Sequence, residues 1–309
     1  MHEPTAGPVV VGVDGSPGSL DALEWAVLCA RDLGVPLRVV HAWRAPAPIL
    51  LPTMPPGRPL LTDDRLAEVA ERGLGAAAAR ARELAPDVDV VPDLREGPAH
   101  AVLAEASRGA ARVVVGVRRH GGLSRLALGS VGTHLPGHAA CPVVVVRRPP
   151  APDGPVLVGI DRVERAEPLL ALATAEARRT ARQLRVVHVW AWPAWIETGT
   201  ALLPDLEDEA QRVLAGLLQD WRGRHPDVDV LRRVVEGHPQ RVLVEEARTA
   251  SLLVVGSRGH DPVVELLLGS VARGVVQAAP CPVVVVPTGR RAEGVPEPRD
   301  VAPAPDVRR

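Results

Sequence analysis

The chain is written twice. VVVGVDGS at residues 9–16 answers VLVGIDRV at 156–163, and RVVHAW at 38–43 answers RVVHVW at 185–190, both displaced by 147 positions. Farther on, PDVDV at 86 and 226, EG at 96 and 236, and CPVVVV at 141 and 281 are displaced by 140. One loss of seven residues reconciles the two displacements. It falls between His188 and Pro226, opposite the proline-rich stretch 44–62, where a surface loop tolerates deletion. A unit of about 140 residues is too long for a solenoid repeat and right for a domain. A chain of 309 residues with 46% hydrophobic content supplies a core for two of them. The expected organisation is a first domain over residues 1–147, a proline-rich linker over 148–155, a second domain over 156–287 and a disordered tail over 288–309.

Inside each unit, short apolar runs alternate with helical patterns. Residues 9–13 are a valine-rich run flanked by turn residues, as in a strand buried on both faces. Leu20, Leu23, Val27 and Ala30 then recur at helical spacing, with Ser19 as the expected N-cap and Gly34 as the stop. Strand-like runs follow at 37–41, 88–91, 113–115 and 143–146, separated by helical patterns near 65–84, 99–108 and 126–139. This order predicts an α/β fold of two tandem, doubly wound, five-stranded parallel-sheet domains with right-handed crossovers. The repeated CPVVVV predicts that the last strands, 143–146 and 283–286, pair into a pseudo-dimer, because a bare apolar edge is an aggregation hazard. Such sheets bind ligands at the carboxyl ends of their strands, where the strand order reverses. Those ends carry Asp14, His41 and Gly116 in the first half, and Asp161, His188 and Gly256 in the second.

Composition removes several function classes. A formal charge of −1 gives no basic face for nucleic acid. Lysine is absent, so all 36 basic residues are arginine, and the Walker A lysine, the kinase strand lysine and a pyridoxal Schiff base are excluded. Tyr and Phe are also absent, which leaves few platforms for stacking bases. Three cysteines without a CxxC pair fit neither a disulfide framework nor a zinc site. No apolar run reaches a membrane span of roughly 18 residues, and the N-terminus lacks a charged-then-apolar leader, so a cytoplasmic protein is expected.

GSRGHDPVVELLLGS at 256–270 runs from a strand end to a helix start, and GVRRHGGLSRLALGS at 116–130 has the same length and ends. A glycine loop in that place exposes backbone N–H groups at a helix N-terminus, where phosphate oxygens are favoured by free donors and by the helix dipole. Ser270 would add a hydroxyl and Arg258 a charge. The alternative is that the glycines serve tight turns and the serine caps the helix.

The pattern G-x2-G-x9-G-S at Gly256, Gly259, Gly269 and Ser270, preceded by a strand ending in Asp161 and followed by APCPVVVV, resembles the ATP-binding form of the universal stress protein family. Both halves resemble it over nearly their whole length, as in the tandem members. The resemblance implies an adenine nucleotide alpha hydrolase-like fold and ATP, with or without Mg, as the bound molecule. In the second half the implied contacts are Asp161, the backbone of Val189, Gly256, Arg258, Gly259, Gly269, Ser270 and Val271. In the first half they are Asp14, Ala42, Gly116, Gly129 and Ser130. Two departures stand out: Arg119 replaces the second glycine of the first half, and Arg162-Val163 replaces the Gly-Ser turn after Asp161. A guanidinium can itself bind phosphate, but a Cβ beside the phosphate works against close approach. The second half is therefore expected to hold the stronger site.

Other residues read as structural. A strand-end histidine such as His41 or His188 has no paired carboxylate or serine at a motif spacing. His134 and His138 stand four apart, but Pro136 and Gly137 intervene and the second half has Gly274 and Ala278 instead, which argues against a metal. Three functions follow for comparison. The first is an ATP-binding regulator or stress sensor that is not an efficient enzyme, slow hydrolysis aside, and works through a protein partner. The second is a nucleotide-free interaction protein of the same fold. The third is an adenylating enzyme, against which SGGxDS, HIGH and any lysine for a KMSKS loop are missing. An intramolecular pseudo-dimer leaves room for a homodimer.

Overall fold

The computed structural model describes residues 7–44, 63–117, 129–147, 153–191, 205–257 and 268–288. The first half runs β1 (Val9–Gly12), α1 (Pro17–Leu33), β2 (Leu37–Trp43), α2 (Asp63–Leu84), β3 (Val90–Glu96), α3 (Ala99–Ala106), β4 (Arg112–Gly116), α4 (Ser130–His138) and β5 (Val143–Val146). The second repeats it as β6 (Val156–Ile160), α5 (Ala166–Arg179), β7 (Leu184–Trp190), α6 (Asp205–Arg224), β8 (Val230–Glu236), α7 (Pro239–Glu246), β9 (Leu252–Gly256), α8 (Ser270–Ala278) and β10 (Val283–Val286). The tail beyond 288 lies outside the described residues.

One ten-stranded sheet results, in the order β3-β2-β1-β4-β5-β10-β9-β6-β7-β8. Within each half the strands are parallel, and the order reverses between β1 and β4, or between β6 and β9. The halves join as expected from the repeated valine runs: β5 and β10 pair antiparallel, with Val144 opposite Val284. This removes two bare apolar edges.

Helices cover both faces, so the central strands are valine-rich without polar alternation. On one face α1, α2, α5 and α6 bury Leu23, Ala78, Leu170 and Trp221 against Val11, Val39, Val158 and Val186. On the other, α3, α4, α7 and α8 bury Leu103, Leu135, Leu243 and Val275. Each fully buried leucine contributes on the order of 1.5–3 kcal/mol. Trp221 keeps its polar end satisfied by donating Nε1–H to Thr174 Oγ1 at 2.9 Å.

Two local expectations are corrected. The N-cap of α1 is Ser16, not Ser19: Ser16 Oγ accepts from the Ser19 amide at 3.3 Å, and Pro17 opens the helix, its ring already holding a helical φ. Gly34 ends α1 in the left-handed region at φ 65°. The third strand is Val90–Glu96, displaced toward the C-terminus from the apolar run at 88–91. Among the described residues it pairs with β2 alone, and an edge strand accommodates Pro92.

Cys29, Cys141 and Cys281 are all buried, and burial pushes their thiols up to about 11, 12 and 12. The nucleophilic thiolate is thereby suppressed at neutral pH. A thiol reagent is expected to label the native protein orders of magnitude more slowly than the unfolded chain. Rapid modification of native protein would contradict this.

Candidate functional site

The carboxyl edge of the first half is built by three short connections. After β1 the chain turns at Asp14-Gly15-Ser16, where Asp14 Oδ1 accepts from the Ser16 amide at 3.0 Å and Gly15 takes φ +75°. That turn, easy for glycine and strained for other residues, keeps the Asp14 carboxylate exposed beside the sheet. β2 brings Ala42 to the same edge. Its neighbour His41 donates Nδ1–H to the Val13 carbonyl at 2.8 Å, and His188 does the same to Ile160 at 2.9 Å. The carbonyl can only accept, so this ring nitrogen carries the proton. Both histidines tie the end of one strand to the end of its neighbour, a structural role of the kind read from the sequence.

Gly116 ends β4, and Gly129 precedes α4 at φ −58°, with no side-chain hydrogen bond capping the helix. Asp14, Ala42, Gly116 and Gly129 line one cleft on the α3/α4 face, together with Gly12, Ala99, Leu103, Val131 and Gly132. Ser130 opens α4 between the lining residues Gly129 and Val131. The first-turn amides of α4 have no carbonyl of their own helix to bond, which makes its N-terminus a place for an anion.

Bare backbone at Gly116 has a second cause. A Cβ there would stand 1.9 Å from the Gly18 carbonyl oxygen, and one on Gly18 would stand 2.0 Å from that of Val117. The start of α1 thus packs directly on the end of β4. Gly12 is closely packed too, since a Cβ would meet Leu103 Cδ1 at 2.8 Å, and one on its repeat Gly159 would meet Leu243 at 3.0 Å, contacts that a shift of the leucine side chain relieves. Sequence reasoning passed over Gly12, Gly18 and Gly159. The signal for the Gly12–Gly159 pair was there, in the glycine that both first strands share.

In the second half, Asp161, Val189, Gly256, Gly269, Ser270 and Val271 occupy the equivalent edge. Gly269 precedes α8 at φ −56°, again without a side-chain cap, and its amide donates to Ser257 O at 2.8 Å. Ser270 is exposed, and Val189 and Val271 pack partly buried on the α7/α8 face. The turn after Asp161 differs. Arg162 is extended at φ −138°, a 3₁₀ turn occupies Val163–Arg165, and Asp161 Oδ1 accepts from the Arg162 amide at 2.8 Å. Asp161 lines a cleft on the opposite, α5/α6 face with His188, Val213 and Leu214. The structure thus gathers the first-half set in one cleft and routes the second-half aspartate toward another. Arg119, Arg258 and Gly259 lie outside the described residues.

Comparison with known proteins agrees with this architecture. The family model described as "Universal stress protein family" matches residues 6–147 and again 154–287. The chain belongs to the universal stress protein family. Among its relatives are two universal stress proteins of Mycobacterium tuberculosis. Rv2005c is 37% identical over 286 residues, covering 90% of this chain and 96% of its own length. Rv2623 is 34% identical over 294 residues, covering 90% and 95%. A solved universal stress protein from Archaeoglobus fulgidus shares the fold with a TM-score of 0.68 at 20% identity, over 92% of this chain and 99% of that one. This universal stress protein is therefore a tandem member, with two family domains in one continuous sheet. No helix among the described residues is long and apolar enough to cross a membrane.

Proposed function

We propose that the protein binds an adenine nucleotide, ATP being the expected one, at the carboxyl edge of its sheet, and acts as a regulator or sensor in the cytoplasm. The observation that carries this reading is the first-half cleft. An exposed carboxylate at Asp14, a glycine strand end at Gly116 and an uncapped helix start at Gly129 converge there. The carboxylate suits ribose hydroxyls, the bare backbone suits close approach, and the helix N-terminus suits phosphate. Among the described residues no group of three His, Cys, Asp or Glu side chains could hold a metal. Magnesium would enter with the nucleotide, carried on its phosphates and water. Regulation is favoured over rapid turnover because lysine is missing from the chain and the strand-end histidines are engaged with backbone carbonyls.

A second reading, a nucleotide-free interaction protein, is favoured by one observation: contact with Gly18 by itself accounts for Gly116. Calorimetric titration with ATP, ADP and adenosine separates the two. The proposed function predicts binding that weakens as phosphates are removed, and roughly tenfold weaker first-half binding for Asp14→Ala. Absence of binding by all three ligands would leave the second reading.

A further inference from the structure

The repeat allows each contact between the halves to be compared with its own counterpart. Positions in the first half correspond to those 147 farther on up to the β2/β7 strands, and to those 140 farther on from β3/β8. Val144 pairs with Val284, its own counterpart, so a pseudo-twofold axis passes through that pair. The joining strands cannot tell the halves apart, since both are VVVV preceded by CP. First half with first half, or second with second, would form the same backbone ladder.

The side chains beneath α1 and α5 are different. Arg112 on β4 donates through Nη1 to Glu176 Oε1 on α5 at 2.7 Å, and both residues are buried, at 7% and 1% exposure. The counterpart of Arg112 is Leu252, and that of Glu176 is Cys29. Cys29 and Leu252 line a junction cavity of about 310 Å³ together with Glu176, Arg179 and Asp32. Asp32 and Arg179 are each other's counterparts and form an ion pair between the halves. A position that would face itself in a symmetric pair thus carries opposite charges in the two halves.

We propose that Arg112, Glu176, Asp32 and Arg179 form a pairing lock through which each half accepts the other half of the chain and rejects a like half. Joining two first halves would set Arg112 against Cys29 twice and Asp32 against Asp32. Joining two second halves would set Glu176 against Leu252 twice and Arg179 against Arg179. Two first halves would bury each Arg112 without the carboxylate it now has, and two second halves would leave each Glu176 only the Arg179 of its own helix while bringing the two Arg179 together, whereas unlike pairing gives each of the four residues an opposite charge. The lock supplies the discrimination that identical valine strands lack.

The test unfolds the full chain, refolds it at rising protein concentration and reads mass by light scattering. Wild type is expected to return to the state of the never-unfolded protein at every concentration. Arg112→Leu/Glu176→Cys copies the Leu252–Cys29 side onto the other side, which lifts the buried part of the rejection of like halves and leaves the Asp32–Arg179 part. It is expected to add chain-exchanged species about tenfold above wild type, rising with concentration. Asp32→Asn/Arg179→Gln, at a less buried position, serves if the first variant does not fold, and is expected to give a smaller rise. The proposal is overturned if the variants, folded by circular dichroism, refold with the wild-type distribution, or if wild type forms exchanged species as readily as they do.

Discussion

Replacing Glu176 alone by leucine is expected to lower stability by about 3–5 kcal/mol. The carboxylate serves two arginines at once. Oε1 accepts from Arg112 at 2.7 Å, and Oε2 accepts from Arg179 Nη2 at 2.7 Å and Nε at 3.2 Å. Without it the Arg112 guanidinium stays buried with no counter-charge, and its Nε is already without a partner. Removing both partners, as in Arg112→Leu/Glu176→Leu, costs far less, because no charge is then stranded. Urea unfolding of the two single variants and the double variant measures the coupling. Additive effects would mean that the pair is not coupled.

The same group sets a pH dependence. Burial alone would raise the Glu176 carboxyl, but Arg112 and Arg179 outweigh it and hold the group below the ordinary 4.5. A carboxylate depressed in the folded state binds fewer protons there than in the unfolded chain. Its stabilisation is therefore complete above pH 4.5 and is lost as pH falls through the folded value. Wild type is expected to lose stability more steeply below pH 4.5 than Arg112→Leu/Glu176→Leu.

The second large effect concerns the glycine loops. Gly259→Arg is expected to weaken ATP binding in the second half roughly tenfold or more, because it would put a Cβ and a long side chain into the loop that the proposed function assigns to the phosphates. Arg119→Gly restores the G-x2-G spacing in the first half and is expected to tighten binding there. Calorimetry on wild type and both variants reads the two sites separately by stoichiometry. Unchanged binding in Gly259→Arg would remove the second half from the nucleotide assignment.

The architecture was legible because repetition spoke twice for each element. Val9–Gly12 and Val156–Ile160 both read as buried strands, and the paired CPVVVV runs pointed to the junction of the halves. Local chemistry was less visible. Ser19 looks like the cap until Pro17 sets the helix start and makes Ser16 the cap. The edge position of β3, which admits Pro92 and Arg95, is a property of strand order and not of the local run. Gly116 shows the limit at the site, because one glycine answers both to Gly18 and to an open cleft, and spacing alone cannot separate these demands. Arg112 and Glu176 lie 64 residues apart with no shared motif. Only their repeat counterparts, Leu252 and Cys29, mark them as exceptional.

The most direct measurement is the amide NMR spectrum of the whole chain during ATP titration. Phosphate at the helix starts should shift the amides of Gly129, Ser130 and Val131, and of Gly269, Ser270 and Val271, along with Gly116 and Ala42 at the strand ends. Saturating ATP that leaves those amides unmoved, or moves only residues at the α1/α5 junction, would contradict a nucleotide site at the carboxyl edge of the sheet.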